Sequence, residues 1–233
     1  MTVLLEVKAL SKVFGGVHAV DGVDFSLDRG KVLGLIGPNG SGKTTLLNMI
    51  AGTSRPSSGH VSLDGTDVTA FTAHRKVRRG IARTFQSTRL MRDWTVRSTL
   101  ELASGARRGP RTPAEIAELV GITDTLDRLT GSLPSAIQRM VMVASALATH
   151  PELLLLDEPA VGMDIEEADR LQSVIRVASS ELGTTVIVVE HNMRFLMPLA
   201  DSVLVMASGK VLSEGTPQYV RNDPAVVAAY LGD

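Results

Sequence analysis

Cysteine is missing from the sequence altogether. No disulfide can staple the fold and no thiolate can hold a metal, an absence that fits a reducing compartment. Aromatic residues are scarce, at 3%, and the formal net charge is −1. Without a positive balance or interleaved aromatics, nucleic acid is a poor partner, and anionic membrane exerts no general attraction. No apolar run approaches the ~18 residues that would span a bilayer. The opening "MTVLLEVKAL" is broken by Glu6 and Lys8 and does not read as a signal peptide. A membrane role would therefore run through a partner. Internal repeats and low-complexity tails are also missing. What is present is 44% apolar residues in a chain of 233, enough for one sizeable core, or a core with a small subdomain.

The first third reads as strands separated by turns. "VDFSLDRG" and "KVLGLIG" are predicted strands joined by a turn at Asp28-Arg29-Gly30, and "GHVSLDG" is a third. From Lys43 to Ala51 the pattern is helical. Between about Thr88 and Ala148 helical patterns dominate, broken by the Gly/Pro/Arg-rich loop "SGARRGPRTP". Ile137, Met140, Val141, Ala144, Leu147 and Ala148 recur at helix spacing. "LLLL" at Leu153–Leu156 and "TTVIVV" at Thr184–Val189 are short unbroken apolar runs, as in strands buried on both faces. The helix between them carries Ile165, Ala168, Leu171, Val174, Ala178 and Leu182 on one side. Strand–helix–strand alternation predicts a mainly parallel α/β sheet with a helical insert between its halves.

"GPNGSGKTT", Gly37 to Thr45, fits G-x-x-x-x-G-K-[ST]. A polyphosphate needs a concave run of backbone N–H groups, and glycine lets the chain curl without Cβ clashes. The loop, with Gly37, Pro38, Asn39, Gly40, Ser41 and Gly42, opens a helix, whose N-terminus favours anions. Lys43 would reach the β- and γ-phosphates, and the Thr44 hydroxyl would bind Mg²⁺. The alternative is an ordinary Gly-rich turn. The preceding strand and following helix favour the phosphate reading.

"LLLLDEP" puts Asp157 and Glu158 at the carboxyl end of a buried strand, where open parallel sheets bind ligands. Asp157 would hold Mg²⁺ through water. Glu158 would polarise the attacking water in phosphoryl transfer. Taken alone, such a pair is also compatible with a turn or helix cap. "VVEHNM" puts His191 at the end of the next strand, where it would hydrogen-bond the γ-phosphate or the water, or remain a surface histidine. His18, His60, His74 and His150 read as surface residues.

Phosphate loop, "RTFQ", helical insert, "LLLLDEP" and "EHN" occur in the order and spacing of an ABC-transporter ATP-binding subunit, which the whole chain resembles. "GIARTFQ", "EGTP" and "AAYLGD" look most like the ATPases of branched-chain amino acid importers. The resemblance implies a P-loop NTPase (RecA-like) α/β fold: a mainly parallel core over 1–87 and 153–212, with an antiparallel β part, a helical subdomain over 88–152, and a helical tail over 213–233. It implies ATP and Mg²⁺ as cofactors. The implied partners are membrane-spanning permease subunits and a second ATPase subunit, a heterodimer being favoured, at the cytoplasmic face of the membrane. By position, Phe14 falls where an aromatic stacks on adenine, although a core Phe fits as well. Gln86 falls at the glutamine that contacts Mg²⁺ and couples to the membrane subunit. Asp164, in "VGMD", falls at the Asp that crosses the dimer interface.

One motif departs from the pattern. Where the family carries Leu-Ser-x-Gly-Gln, this chain has Leu133, Pro134, Ser135, Ala136 and Ile137. In the family this segment presses a Ser hydroxyl and helix amides onto the γ-phosphate of the opposing subunit. Pro134 has neither hydroxyl nor N–H, and Ala136 adds a methyl where backbone must approach phosphate. The helix should survive, with Pro134 at its start and Ser135 as an alternative cap. The expected result is one active and one degenerate composite site. The rival is a shift by one residue that lets Ser135 replace the missing hydroxyl.

From Arg75 to Arg111 there are eleven Lys/Arg and two acids. This run is either a solvated face or a docking surface for the membrane subunit. Trp94 is either an interface anchor or a core or subdomain contact. Two further readings of function stand beside transport-coupled hydrolysis: a nucleotide-gated subunit that hydrolyses little, and the ATPase of a lipid or lipopolysaccharide exporter.

Overall fold

The computed structural model describes residues 2–84 and 90–231. The chain opens with two long strands, β1 (Val3–Phe14) and β2 (Val17–Asp28), then β3 (Val32–Ile36) and α1 (Lys43–Ala51). There follow β4 (Ser58–Leu63), β5 (Thr66–Asp67), α2 (Ala73–Arg78) and β6 (Ile81–Arg83). Three helices come next: α3 (Val96–Ser104), α4 (Pro113–Val120) and α5 (Ser135–Ala148). The chain returns through β7 (Leu153–Asp157), α6 (Ile165–Ser180), β8 (Thr185–Val189) and α7 (Met193–Leu196). It ends with β9 (Ser202–Ala207), β10 (Lys210–Gly215), α8 (Pro217–Asn222) and α9 (Pro224–Leu231).

These strands form two sheets. One is four-stranded and antiparallel, in the order β2-β1-β4-β5. The other has six strands in the order β10-β9-β3-β8-β7-β6, parallel except for the β9–β10 edge pair. The expected turn at Asp28-Arg29-Gly30 is present, but the two strands it joins lie in different sheets. Local turn signals say that the chain reverses, not which neighbour it pairs with.

The parallel strands are buried on both sides, and their side chains alternate. Leu33, Leu35, Leu153, Leu155, Ile187 and Val189 face a core shared with α1 and the antiparallel sheet. Leu154, Leu156, Val186, Val188, Val203 and Val205 face a second core. That second core contains Val96 and Leu100 of α3, Ile116 and Val120 of α4, and Met140, Val141, Ala144 and Leu147 of α5. The helical insert therefore packs on the sheet and shares its core. Fully burying one such Leu or Val side chain contributes roughly 1.5–3 kcal/mol, so the sheet face and the insert stabilise each other.

The helix ends have local causes. Pro113 begins α4 directly after the Arg-rich loop, with Thr112 and Glu115 forming a reciprocal capping box. On α6, Leu171, Val174 and Ala178 are buried as the spacing predicts, but Ile165 is exposed and Leu182 lies beyond the helix. The tail differs slightly from expectation: β10 runs to Gly215, and the helices start at Pro217. Among the described residues no helix is long and apolar enough to cross a membrane.

Candidate active site

The order β3-β8-β7 puts three carboxyl-terminal strand ends side by side. β3 runs into the phosphate loop, β7 ends at Asp157, and β8 leads to His191. Asp157 pairs in register with Val189, so Glu158 and the Glu190–His191 segment emerge together.

Backbone geometry makes the loop. Gly37 has φ 148° and Gly42 has φ 103°. A Cβ at Gly37 would lie 2.1 Å from Met206 O, and one at Gly42 2.3 Å from Ala19 O. Only glycine fits either place. Inside this curl the buried Lys43 ammonium donates to Gly37 O at 2.7 Å and Pro38 O at 2.9 Å. Burial lowers the Lys43 pKa, while the charges of Glu158 and Asp157 oppose that shift. The two acids thus act on the ammonium at the loop's centre. Ser41 is buried beside it, and Thr44 and Thr45 occupy the first turn of α1. No side chain caps the N–H groups at that helix start. Open amides, an ammonium and a hydroxyl are a donor set that fits a polyphosphate with a divalent cation.

Asp157 is itself buried, and its Oδ2 accepts from Arg83 Nη2 at 2.9 Å. Its other oxygen accepts no hydrogen bond from the described residues, so one oxygen remains for a hard cation. Glu158 has φ 49°, in the left-handed region, and its N–H donates to Val189 O at 2.9 Å. A non-glycine residue held there stores strain of about 1–3 kcal/mol, a feature that clusters at reacting sites. Its Oε1 lies 2.7 Å from His191 Nε2.

Glu190, which sequence reasoning passed over, organises this corner. The buried carboxylate accepts N–H bonds from Ala160 at 2.8 Å, His191 at 3.1 Å and Asn192 at 3.4 Å. It joins the loop after Glu158 to the loop carrying His191. Burial raises its pKa, against the opposing pull of those N–H bonds. An acid closing an apolar run, "TVIVVE", was the available signal.

Other predicted positions are distributed as follows. Phe14 ends β1, is 53% exposed and has Lys12 Nζ 4.9 Å from its ring centroid, so it is not a core Phe. Asp164 N-caps α6, accepting from Glu167 N at 2.9 Å. Gln86 lies outside the described residues. Trp94 is exposed rather than a core contact. His150 is not a plain surface residue: it is half-buried, Gly109 packs against its ring, and burial lowers its pKa.

The α5 start corrects one expectation. Pro134 itself is the N-cap, with no side-chain capping bond, and Ser135 is the first helical residue rather than a cap. Ala136 and Leu133 are buried, and Gln138 Nε2 donates back to Leu133 O at 2.8 Å. The basic run also divides. Lys76 is fully buried, donating to Met49 O and Ile50 O at 2.9 Å each, and the Arg83 side chain is 6% exposed. Neither belongs to a solvated face.

The ABC transporter pattern matches residues 20–161. This chain belongs to the ABC transporter family. A second pattern, that of the branched-chain amino acid ATP-binding cassette transporter, matches residues 210–233. The chain is 36% identical over 250 residues to the high-affinity branched-chain amino acid transport ATP-binding protein BraF of Pseudomonas aeruginosa, covering 99% of this chain and 98% of that one. It is 34% identical to the high-affinity branched-chain amino acid transport ATP-binding protein LivG of Escherichia coli, with the same coverage. The ADP conformation of MJ1267, an ATP-binding cassette of an ABC transporter, superposes with a TM-score of 0.90 at 28% identity, covering 100% of both chains. The fold of this ABC cassette is the P-loop NTPase α/β fold, with its antiparallel β part and helical insert.

Proposed function

We propose that this ABC ATP-binding subunit hydrolyses ATP in a site formed by Gly37–Thr45, Asp157, Glu158 and His191, and so powers amino acid uptake, branched-chain amino acids foremost. The observation that carries the reading is the convergence of the Lys43 ammonium, Asp157 and the Glu158–His191 pair at neighbouring strand ends. The loop amides and Lys43 bind the β- and γ-phosphates. Thr44, Asp157 and Gln86 are the residues that would hold Mg²⁺. When bound, that ion neutralises charge on the transferring phosphoryl group. Glu158 orients the attacking water and accepts its proton, and His191 fixes the Glu158 carboxylate. Phe14, exposed at the end of β1, stacks on adenine.

The subunit works at the cytoplasmic face of the membrane, held by permease subunits and paired with a second, different ATPase subunit. The likeness to BraF and LivG, both branched-chain amino acid transport proteins, supports the amino acid cargo. The α5 start supports the pairing: Pro134 offers the partner's γ-phosphate neither hydroxyl nor N–H, and replacing that donor requires a one-residue shift to the exposed Ser135 hydroxyl. Losing one preorganised donor costs roughly 100- to 1000-fold in rate. One composite site therefore turns over, and the other holds ATP. Asp164 lies next to the interface this pairing requires, with one carboxylate oxygen already used as a helix cap.

Co-purification with membranes, followed by reconstitution, tests the reading. Two permease subunits and a second ATPase should accompany the chain, and leucine uptake should depend on ATP. Full-speed hydrolysis by the isolated chain would overturn the two-site asymmetry. A single-turnover assay of the assembled complex separates this reading from a nucleotide-gated subunit that hydrolyses little, the alternative that Pro134 favours.

A further inference from the structure

Arg83 ends β6 in the middle of the basic run, yet its side chain turns inward. Nη2 donates to Asp157 Oδ2 at 2.9 Å, with the two side chains 6% and 5% exposed. Nη1 donates to Asn48 Oδ1 on α1 and lies 3.4 Å from Thr53 Oγ1. One planar guanidinium thus ties together β6, α1 and β7. Asn48 follows Thr44 by four residues, so the two share one face of α1. The guanidinium therefore spans from the Asp157 carboxylate to the helix face that carries the Thr44 hydroxyl. A lone carboxylate at a strand end can rotate about its terminal torsion. The charge-assisted bond from Arg83 Nη2 to Oδ2, with the guanidinium itself anchored on Asn48, restrains that rotation.

We infer that Arg83 is a positioning residue for the metal-binding pair: it holds Asp157 at the separation and rotation from Thr44 that a shared Mg²⁺ requires. This rests on the reading of Asp157 and Thr44 given above. Partners that orient a metal-binding carboxylate typically change metal affinity by roughly 10- to 100-fold when removed. Lysine is a poor substitute, because a point charge cannot bridge Asp157 and Asn48 together.

Calorimetric titration of ADP onto the purified chain, with Mg²⁺ and with EDTA, tests this without turnover. In EDTA, wild type, Arg83→Met and Arg83→Lys should bind ADP alike, because the phosphate loop is untouched. The gain in ADP affinity on adding Mg²⁺ should fall about tenfold in Arg83→Met, and by less in Arg83→Lys. An undiminished gain in folded Arg83→Met overturns the inference. So does an equal loss with and without Mg²⁺, which marks a purely structural pair. If Arg83→Met fails to fold, Asn48→Ala removes only the anchor on α1. A reduced gain there supports the inference, and a full gain in both Asn48→Ala and Arg83→Lys overturns it. Asp157→Asn runs alongside. If Asp157→Asn keeps the full gain, the metal reading of Asp157 falls and this inference with it. If Asp157→Asn loses the gain while Arg83→Met keeps it, only the role of Arg83 falls.

Discussion

Two helices of this chain begin at segments proposed to meet nucleotide phosphate, α1 on its own nucleotide and α5 on the partner's. Neither has a side-chain cap at its start. α1 follows Gly42 at φ 103°, in a curl only glycine can form, and its amides remain open around Lys43. α5 follows Pro134 at φ −54°, with the Leu133 and Ala136 side chains buried and Gln138 folded back onto Leu133 O. Under the proposed reading, the two starts differ in whether the residues before the helix let backbone come close to phosphate. Helix formation needs much less. α5 is stabilised by Met140, Val141, Ala144 and Leu147 in the core, whatever happens at its first turn.

The comparison can be broken most severely at the chemistry of the α1 side. Glu158→Gln in the assembled transporter should lower hydrolysis by roughly 10²–10⁴-fold, the range for a general base, while equilibrium binding of ATP persists. Wild-type rates in a stopped-flow phosphate-release assay would remove Glu158 from its role. The α5 side can be repaired instead. Pro134→Ser with Ala136→Gly should raise turnover at the partner's composite site by roughly 100-fold, measured with Glu158→Gln silencing this chain's own site. No gain would mean that something other than the helix start disables that site.

The next effect lies at the opposite end of α1, whose last carbonyls are held by the buried Lys76. Its pKa is pushed down to about 8, chiefly by burial, against the pull of Asp67. An unfolded lysine titrates near ~10.4. Between those values the unfolded chain binds more protons than the folded one, so stability rises with pH across that window. The full contribution is about 3 kcal/mol, present above ~10.4 and lost as pH falls through the folded value. Urea unfolding at pH 7.5 and 9.5 should show wild type gaining stability relative to Lys76→Met, and parallel curves would refute it. The smallest expected effect is at α5. Gln138→Ala should cost about 1 kcal/mol, one hydrogen bond's net worth, seen as a lower urea midpoint with hydrolysis at this chain's own nucleotide unchanged.

Much of the site was legible because its logic is local. The phosphate loop, the bounds of α1 and the double-sided strands β7 and β8 follow from spacings of a few residues. β6, with three residues, carried too short a pattern to separate from the helical texture that follows it. Lys76 and Arg83 hid in a run of basic residues that carries no local mark of burial. Each is distinguished only by partners elsewhere: α1 carbonyls for the first, Asp157 and Asn48 for the second. The pairing of β2 was likewise unreadable, since a turn fixes reversal but not a sheet.

By itself the sequence determined the glycine-rich loop and its helix, the buried strands, the acid pair and the departure from the family motif at Pro134, because backbone torsions and short periodicities depend on near neighbours. Only the tertiary structure decided that Arg83 reaches Asp157 across 74 positions. It also decided that Glu190 binds two loops into one corner, and that the insert shares the core of the sheet. Those contacts depend on strand order and on which charges the packing leaves without water, quantities that no local window of residues contains.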